Sequence, residues 1–333
     1  MPQSEVSDVG VVVIGRNEGE RLCRCFDSLL DQVQAIVYVD SGSTDDSIAN
    51  ATSRGVHVIN LDTSVPFTAA RARNAGFEKL QELFPEIRFV QFVDGDVEVC
   101  EGWIQSARTT LDYEDKLAVV CGHLLEKHPD KTIYNKLCSL EWKATPGEAL
   151  SCGGNSMMRA KALTEVHGFN AKLIAGEEPE LCLRMRHDKW RILRVDVNMA
   201  RHDANILSFS QWWRRSTRSG HAFAEGYWLH RDSADHYRRY ELRSILLWGV
   251  LFPIAIIAAL PLTTVVSGAG LITYLALYFR IRANRIIFGD SQADAGLYAR
   301  FCVLAKFPQA LGTLQFFVLN VLLGTRRKLI EHK

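Results

Sequence analysis

Four short apolar runs, each stopped by a polar turn, restrict this chain more than any other feature. They are "VGVVVIGRNE" (9–18), "AIVYVDSGSTDDS" (35–47), "VHVINL" (56–61) and "IRFVQFVDGD" (87–96). Each is rich in β-branched residues and of strand length. Between the first two, Leu22, Phe26, Leu29 and Leu30 recur at helical spacing, and residues 68–84 read as another helix. Ser43 followed by Asp46 reads as a capping box that opens the helix after the second strand. This alternation predicts an α/β fold with a mostly parallel central sheet flanked by helices. In such sheets ligands bind beyond the carboxyl ends of the strands. Arg16-Asn17-Glu18, Asp40-Ser41-Gly42-Ser43 and Asp94-Gly95-Asp96 all fall at those ends.

The familiar nucleotide loops are missing. No GxGxxG opens a helix after the first strand and no GxxxxGK[ST] occurs, which argues against a dinucleotide dehydrogenase and a P-loop kinase. Asp94 and Asp96 stand one glycine apart at the tip of an apolar strand, where two like charges repel. A divalent cation shared with a diphosphate relieves that repulsion, and Mn2+ or Mg2+ suits such oxygen ligands; a turn open to water relieves it as well. A net charge of +1 gives no footprint for nucleic acid. The eight cysteines are scattered, with no CxxC pair and no zinc spacing, as expected of reduced thiols in a reducing compartment. The polar start of the chain predicts no signal peptide.

Residues 244–279 carry no charge. A membrane-spanning helix needs roughly 20 apolar residues, so this stretch suits a tight hairpin, with Pro261 or Ser267–Gly270 as the turn. A second segment, 301–324, is interrupted by Lys306 and Pro308. Arg238, Arg239 and Arg243 precede the first segment, Arg280, Arg282 and Arg285 follow it, and Arg326, Arg327 and Lys328 follow the last. Basic flanks lie on the cytoplasmic side. Three regions result: 1–207 as a catalytic domain, 208–243 as an amphipathic Trp/Arg-rich juxtamembrane segment, and 244–333 as membrane-embedded helices. The number of crossings stays open.

Six segments in order resemble the inverting family 2 glycosyltransferases of the GT-A fold. They are "VVVIGRNEGERL", "VDSGSTDDS", "AARARNAGF", "FVDGDVEV", "CGGNSMMRAKALTEVHGF" and "AGEEPELCLRMRHDKWRI". The resemblance implies a transfer of sugar from a nucleoside diphosphate donor, with Mn2+ or Mg2+ as cofactor. It places Arg16, Glu18, Asp40, Arg73, Asn74 and Asp94 on the donor nucleotide, and Asp94 and Asp96 on the metal, Asp96 foremost. Asn155 would lie by the transferred sugar. Glu178 would be the catalytic base, with Glu177 beside it. The family usually has aspartate where this chain has Glu178, so either the backbone retreats, or Glu177 does the work, or catalysis is impaired.

"QWWRR" (211–215) partly resembles the QxxRW motif of membrane-bound polysaccharide synthases, with Arg215 in place of tryptophan. By that resemblance Gln211, Trp212, Arg214 and Arg215 would bind acceptor sugar or the departing diphosphate; a plain juxtamembrane anchor explains the same residues. The expected partners are therefore a nucleoside diphosphate sugar, a lipid-linked or glycan acceptor and membrane lipids, with the catalytic domain in the cytoplasm. A processive polysaccharide synthase and a non-catalytic nucleotide-sugar-binding scaffold are the alternatives.

Overall fold

The computed structural model describes residues 7–259 and 264–324. Two compact units emerge: one comprises residues up to Pro129 together with Glu141–Asn205, the other Asp130–Leu140 and the chain from Ile206 onward.

The first unit is a nine-stranded sheet with helices. Its strands are β1 (Val9–Gly15), β2 (Ala35–Asp40), β3 (His57–Asn60), β4 (Phe89–Asp94), β5 (Val97–Val99), β6 (Leu117–Glu126), β7 (Gly147–Glu148), β8 (Met157–Arg159) and β9 (Arg191–His202). In chain order the helices before β9 are α1 (Glu20–Leu30), α2 (Ser47–Ser53), α3 (Ala69–Leu83), α4 (Trp103–Tyr113), α5 (Ile133–Glu141), α6 (Ala160–Glu165) and α7 (Glu177–His187), of which α5, but for its last residue, belongs to the second unit. The strand order is β3-β2-β1-β4-β8-β6-β9-β5, with β7 on β9.

All six residues of β2 are buried, and so is β1 up to Gly15, because a strand covered on both faces keeps no polar side. The expected parallel order holds across β3-β2-β1-β4. Beyond β4 the sheet is mixed: β8 runs antiparallel to β4 and β6, and β9 runs parallel to β6 but antiparallel to β5. The longer ladders are parallel, as expected, and the antiparallel pairings are short. Strands β5 and β8 have three residues each, too few to show a period.

The capping box expected at Ser43 is absent. Helix α2 starts at Ser47 behind Asp46, which makes no side-chain cap bond, while Ser43 Oγ accepts the N–H of Asn17 at 2.9 Å. Thr68, by contrast, caps α3 by accepting the Arg71 N–H.

The second unit contains α8 (Phe209–Leu229), α9 (Arg239–Leu246), α10 (Phe252–Ala259), α11 (Thr264–Ile287), α12 (Gln292–Leu304) and α13 (Lys306–Gln315). A π-helical turn joins α9 to α10 and another extends α13 to Leu322. Helices α8 and α13 cross with their backbones nearly touching: a Cβ on Gly220 would stand 2.0 Å from the Gln309 carbonyl oxygen, and one on Gly312 1.9 Å from that of Thr217. Thr313 Oγ1 donates to the Gly220 carbonyl at 3.1 Å. Small residues permit this approach.

Among the described residues, two helices are long and apolar enough to cross a membrane: Arg239–Ala259, with mean hydropathy 2.1, and Gln292–Leu322, with 1.4. The turn expected at 267–270 does not form there, since α11 runs through those residues. Pro261 lies outside the described residues, as do Arg326, Arg327 and Lys328. Pro308 falls in the first turn of α13, where its missing N–H costs nothing. Arg285 turns inward to Asp290 at 2.5 Å and stacks on Tyr298.

Candidate active site

Three strand tips build the site. At the end of β1, Asn17 adopts φ 55° and its Oδ1 accepts the Thr44 N–H at 2.7 Å. Gly19 N–H donates to Asp45 Oδ2 at 3.1 Å. The turns after β1 and β2 are thereby tied together. Asp40, 2% exposed, accepts from the Tyr38 hydroxyl at 3.0 Å and from the N–H groups of Gly42 and Ser43 at 2.9 and 2.8 Å. Burial, and then the Asp40 charge, push the Tyr38 phenol far above its ordinary range, so it stays a donor. Arg16 lies over the Phe67 ring at 4.8 Å, and Glu18 pairs with Arg21 at 2.6 Å.

Arg73 joins two of the expected residues. Its guanidinium, 3% exposed, donates to Asp94 Oδ1 at 2.8 Å and to Glu177 Oε1 at 2.6 Å. Burial by itself would lower its pKa; Asp94 and Glu177 more than reverse this and hold it above the usual value, so the cation is permanent. Asn155 grips Asp94 at two points: Oδ1 accepts the Asp94 N–H at 2.8 Å and Nδ2 donates to Asp94 Oδ2 at 3.1 Å. Both Asp94 carboxylate oxygens are thus engaged. Residue 154 must be glycine for this to form, because a Cβ there would stand 2.4 Å from Arg73 Nη2.

Asp96 has a different neighbour. Strand β5 pairs with β9 so that Val97 faces His202, and His202 Nε2 lies 3.3 Å from Asp96 Oδ2. The His202 ring stacks on Trp142 at 4.9 Å and 8°. Sequence reasoning missed both residues; a single histidine at a strand end has no spacing signature. The Asp96 carboxylate suits Mn2+ or Mg2+, and an imidazole beside it favours the softer Mn2+ of the two.

Asn74, expected near the diphosphate, clamps the backbone of Phe169: Nδ2 donates to its carbonyl at 2.8 Å and Oδ1 accepts its N–H at 2.9 Å. The acid pair expected to hold the base begins α7. Glu177 belongs to Arg73, whereas Glu178 is buried, 5% exposed, and its Oε1 accepts the Cys152 N–H at 2.6 Å. Further along α7, Glu180 and Arg184 pair at 2.9 Å, and Arg184 Nη2 also donates to the Gly168 carbonyl at 2.8 Å.

Gln211 and Trp212 of α8, expected at the acceptor, have local partners. Ser208 and Gln211 form a reciprocal capping box that starts α8, with Gln211 Oε1 also accepting the Leu207 N–H at 2.8 Å. Trp212 is 2% exposed and packs edge-on against Phe301 at 5.0 Å. Arg214 is exposed and Arg215 half-buried on the same helix. A cavity of about 650 Å³ lies at the other end of the strands, beside Val9 and Ala35, and holds none of the residues above.

A mixed α/β sheet with acidic groups at adjoining strand tips and a buried arginine on the helix beside them is the arrangement of the GT-A fold. Residues 10–166 match the sequence model described as "Glycosyl transferase family 2". The chain is similar in fold to a mannosyltransferase from Pyrobaculum calidifontis solved in complex with GDP-Man and Mn2+. That likeness has a TM-score of 0.63 and 15% identity and covers 93% of this chain and 87% of the other. A TPR repeat-containing protein of Synechococcus elongatus is 31% identical over 114 residues, 34% of this chain and 26% of the relative. The chain therefore spans about a quarter of that relative's length.

Proposed function

We propose that the protein is a membrane-attached, metal-dependent inverting glycosyltransferase. It moves a sugar from a nucleoside diphosphate to a lipid-linked or glycan acceptor at the cytoplasmic membrane face. The observation that carries this reading is the Arg73 bridge between Asp94 and Glu177, beside Asn155 and the Asp96–His202 contact. Asp96 and His202 would hold the cation, which when bound offsets charge gained by the leaving diphosphate. Asp94 acts mainly by fixing Arg73 and Asn155, with its exposed edge toward the ribose. Arg73 supplies a buried positive charge that needs no reorganisation as the diphosphate departs. Asp40, already saturated with donors, shapes the base pocket through the turn it anchors. Glu178 takes the proton from the acceptor hydroxyl, and one displacement inverts the anomeric centre. The membrane attachment is supported by the two apolar helices and by their exposed Leu251, Ile254, Ile257 and Leu311.

The test is a donor screen on protein in detergent micelles, reading nucleoside diphosphate release from UDP-, GDP- and dTDP-sugars with Mn2+, Mg2+ or EDTA. Release from at least one donor, abolished by EDTA and by Asp96→Asn, supports the reading. Equal release with EDTA contradicts the metal role. Activity undiminished in Glu178→Gln contradicts the base.

A further inference from the structure

Beneath the α7 N-terminus, Cys152, Glu178 and Cys182 form a buried cluster whose ligand atoms all lie within 4.8 Å of one another. The Cys152 and Cys182 sulfurs each lie 3.0 Å from Glu178 Oε1 and 3.6 Å from each other. A shared zinc ion does not suit these distances. With Zn–S near 2.3 Å and Zn–O near 2.1 Å, a tetrahedral ion separates sulfur from oxygen by about 3.6 Å and sulfur from sulfur by about 3.8 Å. The observed sulfur–oxygen contacts are much shorter, and Oε1 already accepts the Cys152 N–H at 2.6 Å. A disulfide needs about 2.05 Å, so at 3.6 Å the sulfurs are not bonded covalently and stand within hydrogen-bond reach of each other as well.

Hydrogen bonding explains the cluster better. Burial, and next the neighbouring Cys182, raise the Cys152 thiol well above its ordinary value; burial pushes Cys182 up to about 12. Both therefore keep their protons and can donate. We infer that Cys152 and Cys182 are positioning residues that pin one carboxylate oxygen of Glu178 and so direct the other oxygen as the base. The inference rests on the proposed role of Glu178. It also accounts for glutamate where the family usually has aspartate: three donors on Oε1 remove the rotamer freedom that the extra methylene would bring. Other groups facing the cluster are the Ser156 hydroxyl, 3.3 Å from the Cys152 sulfur, the Cys121 thiol with Arg194 near it, and Glu177 next in the chain.

The test compares Cys182→Ala, Cys182→Ser and Glu178→Gln in the intact protein in micelles, using GDP-mannose first and otherwise the best donor of the screen. Cys182→Ala should lower kcat about tenfold with little change in donor KM. The serine variant, which keeps a donor, should restore most of kcat. An alanine variant with unchanged kcat overturns the inference. If Glu178→Gln is fully active, the base assignment itself has failed, which is a separable result. Should the alanine variant not fold, the S–H stretching region of the infrared difference spectrum, wild type minus Glu178→Gln, decides. Lowered S–H frequencies present only with Glu178 support the pinned thiols; identical bands overturn them.

Discussion

Replacing Arg73 by methionine removes the one cation between Asp94 and Glu177. The guanidinium is 3% exposed, and its two carboxylate partners are 31% and 14% exposed. Breaking a buried ion pair from one side costs about 3–5 kcal/mol, since the remaining charges are left without a partner. Each charge-assisted hydrogen bond is worth about 1.5–3 kcal/mol, so two of them give a similar sum. The partial exposure of Asp94 favours the lower end, about 3 kcal/mol. A unit of this size shifts by about 2–4 °C per kcal/mol, so Arg73→Met should unfold about 6–12 °C below wild type in the same detergent. The double variant Arg73→Met/Glu177→Met tests the cause, because it removes the stranded acid together with the cation. It should recover about 1–3 kcal/mol relative to additivity. Thermal unfolding of the four-member cycle measures this. Strictly additive losses would refute the bridge as the source of the effect.

Gly154→Ala keeps every charge but places a Cβ 2.4 Å from Arg73 Nη2; nucleoside diphosphate release should fall about 10- to 100-fold, matching one lost charge-assisted bond, and wild-type rates would refute the crowding. Asn74→Ala removes both bonds to the Phe169 backbone and should cost about 1–3 kcal/mol in denaturant unfolding, whereas an unchanged midpoint would refute the clamp. Burial raises the Glu126 pKa above 4.5 despite N–H donors from His128 and Ala204. The folded state then holds its proton more tightly than the unfolded chain, so this group's contribution falls as pH rises from about 4.5 through the raised value and is level above it. Wild type minus Glu126→Gln in unfolding temperature should decline across that window; a difference independent of pH would contradict it.

The first half of the fold was legible because β1, β2 and β4 are buried on both faces and each ends in a polar turn. Nothing comparable marks β5 or β8, whose three residues cannot establish a period, and so the antiparallel half stayed hidden. At the site, Arg73, Asp94, Asn155 and Glu177 were all named from the sequence, and the structure brings them within hydrogen-bond reach of one another. His202 was not named, since its nearness to Asp96 depends on the β5–β9 pairing rather than on spacing. Asn74 and Gln211 were named for ligands, and each also satisfies nearby backbone groups, a demand that only the three-dimensional path of the chain reveals.

Titration of Mn2+ into the intact protein with GDP or UDP present, read by electron paramagnetic resonance of the bound ion, bears most directly on the shared metal–diphosphate centre. One tightly held Mn2+ should appear only with nucleotide, and it should weaken at least tenfold in both Asp96→Asn and His202→Ala. Nucleotide-dependent Mn2+ binding that is equally tight in both variants would contradict the account.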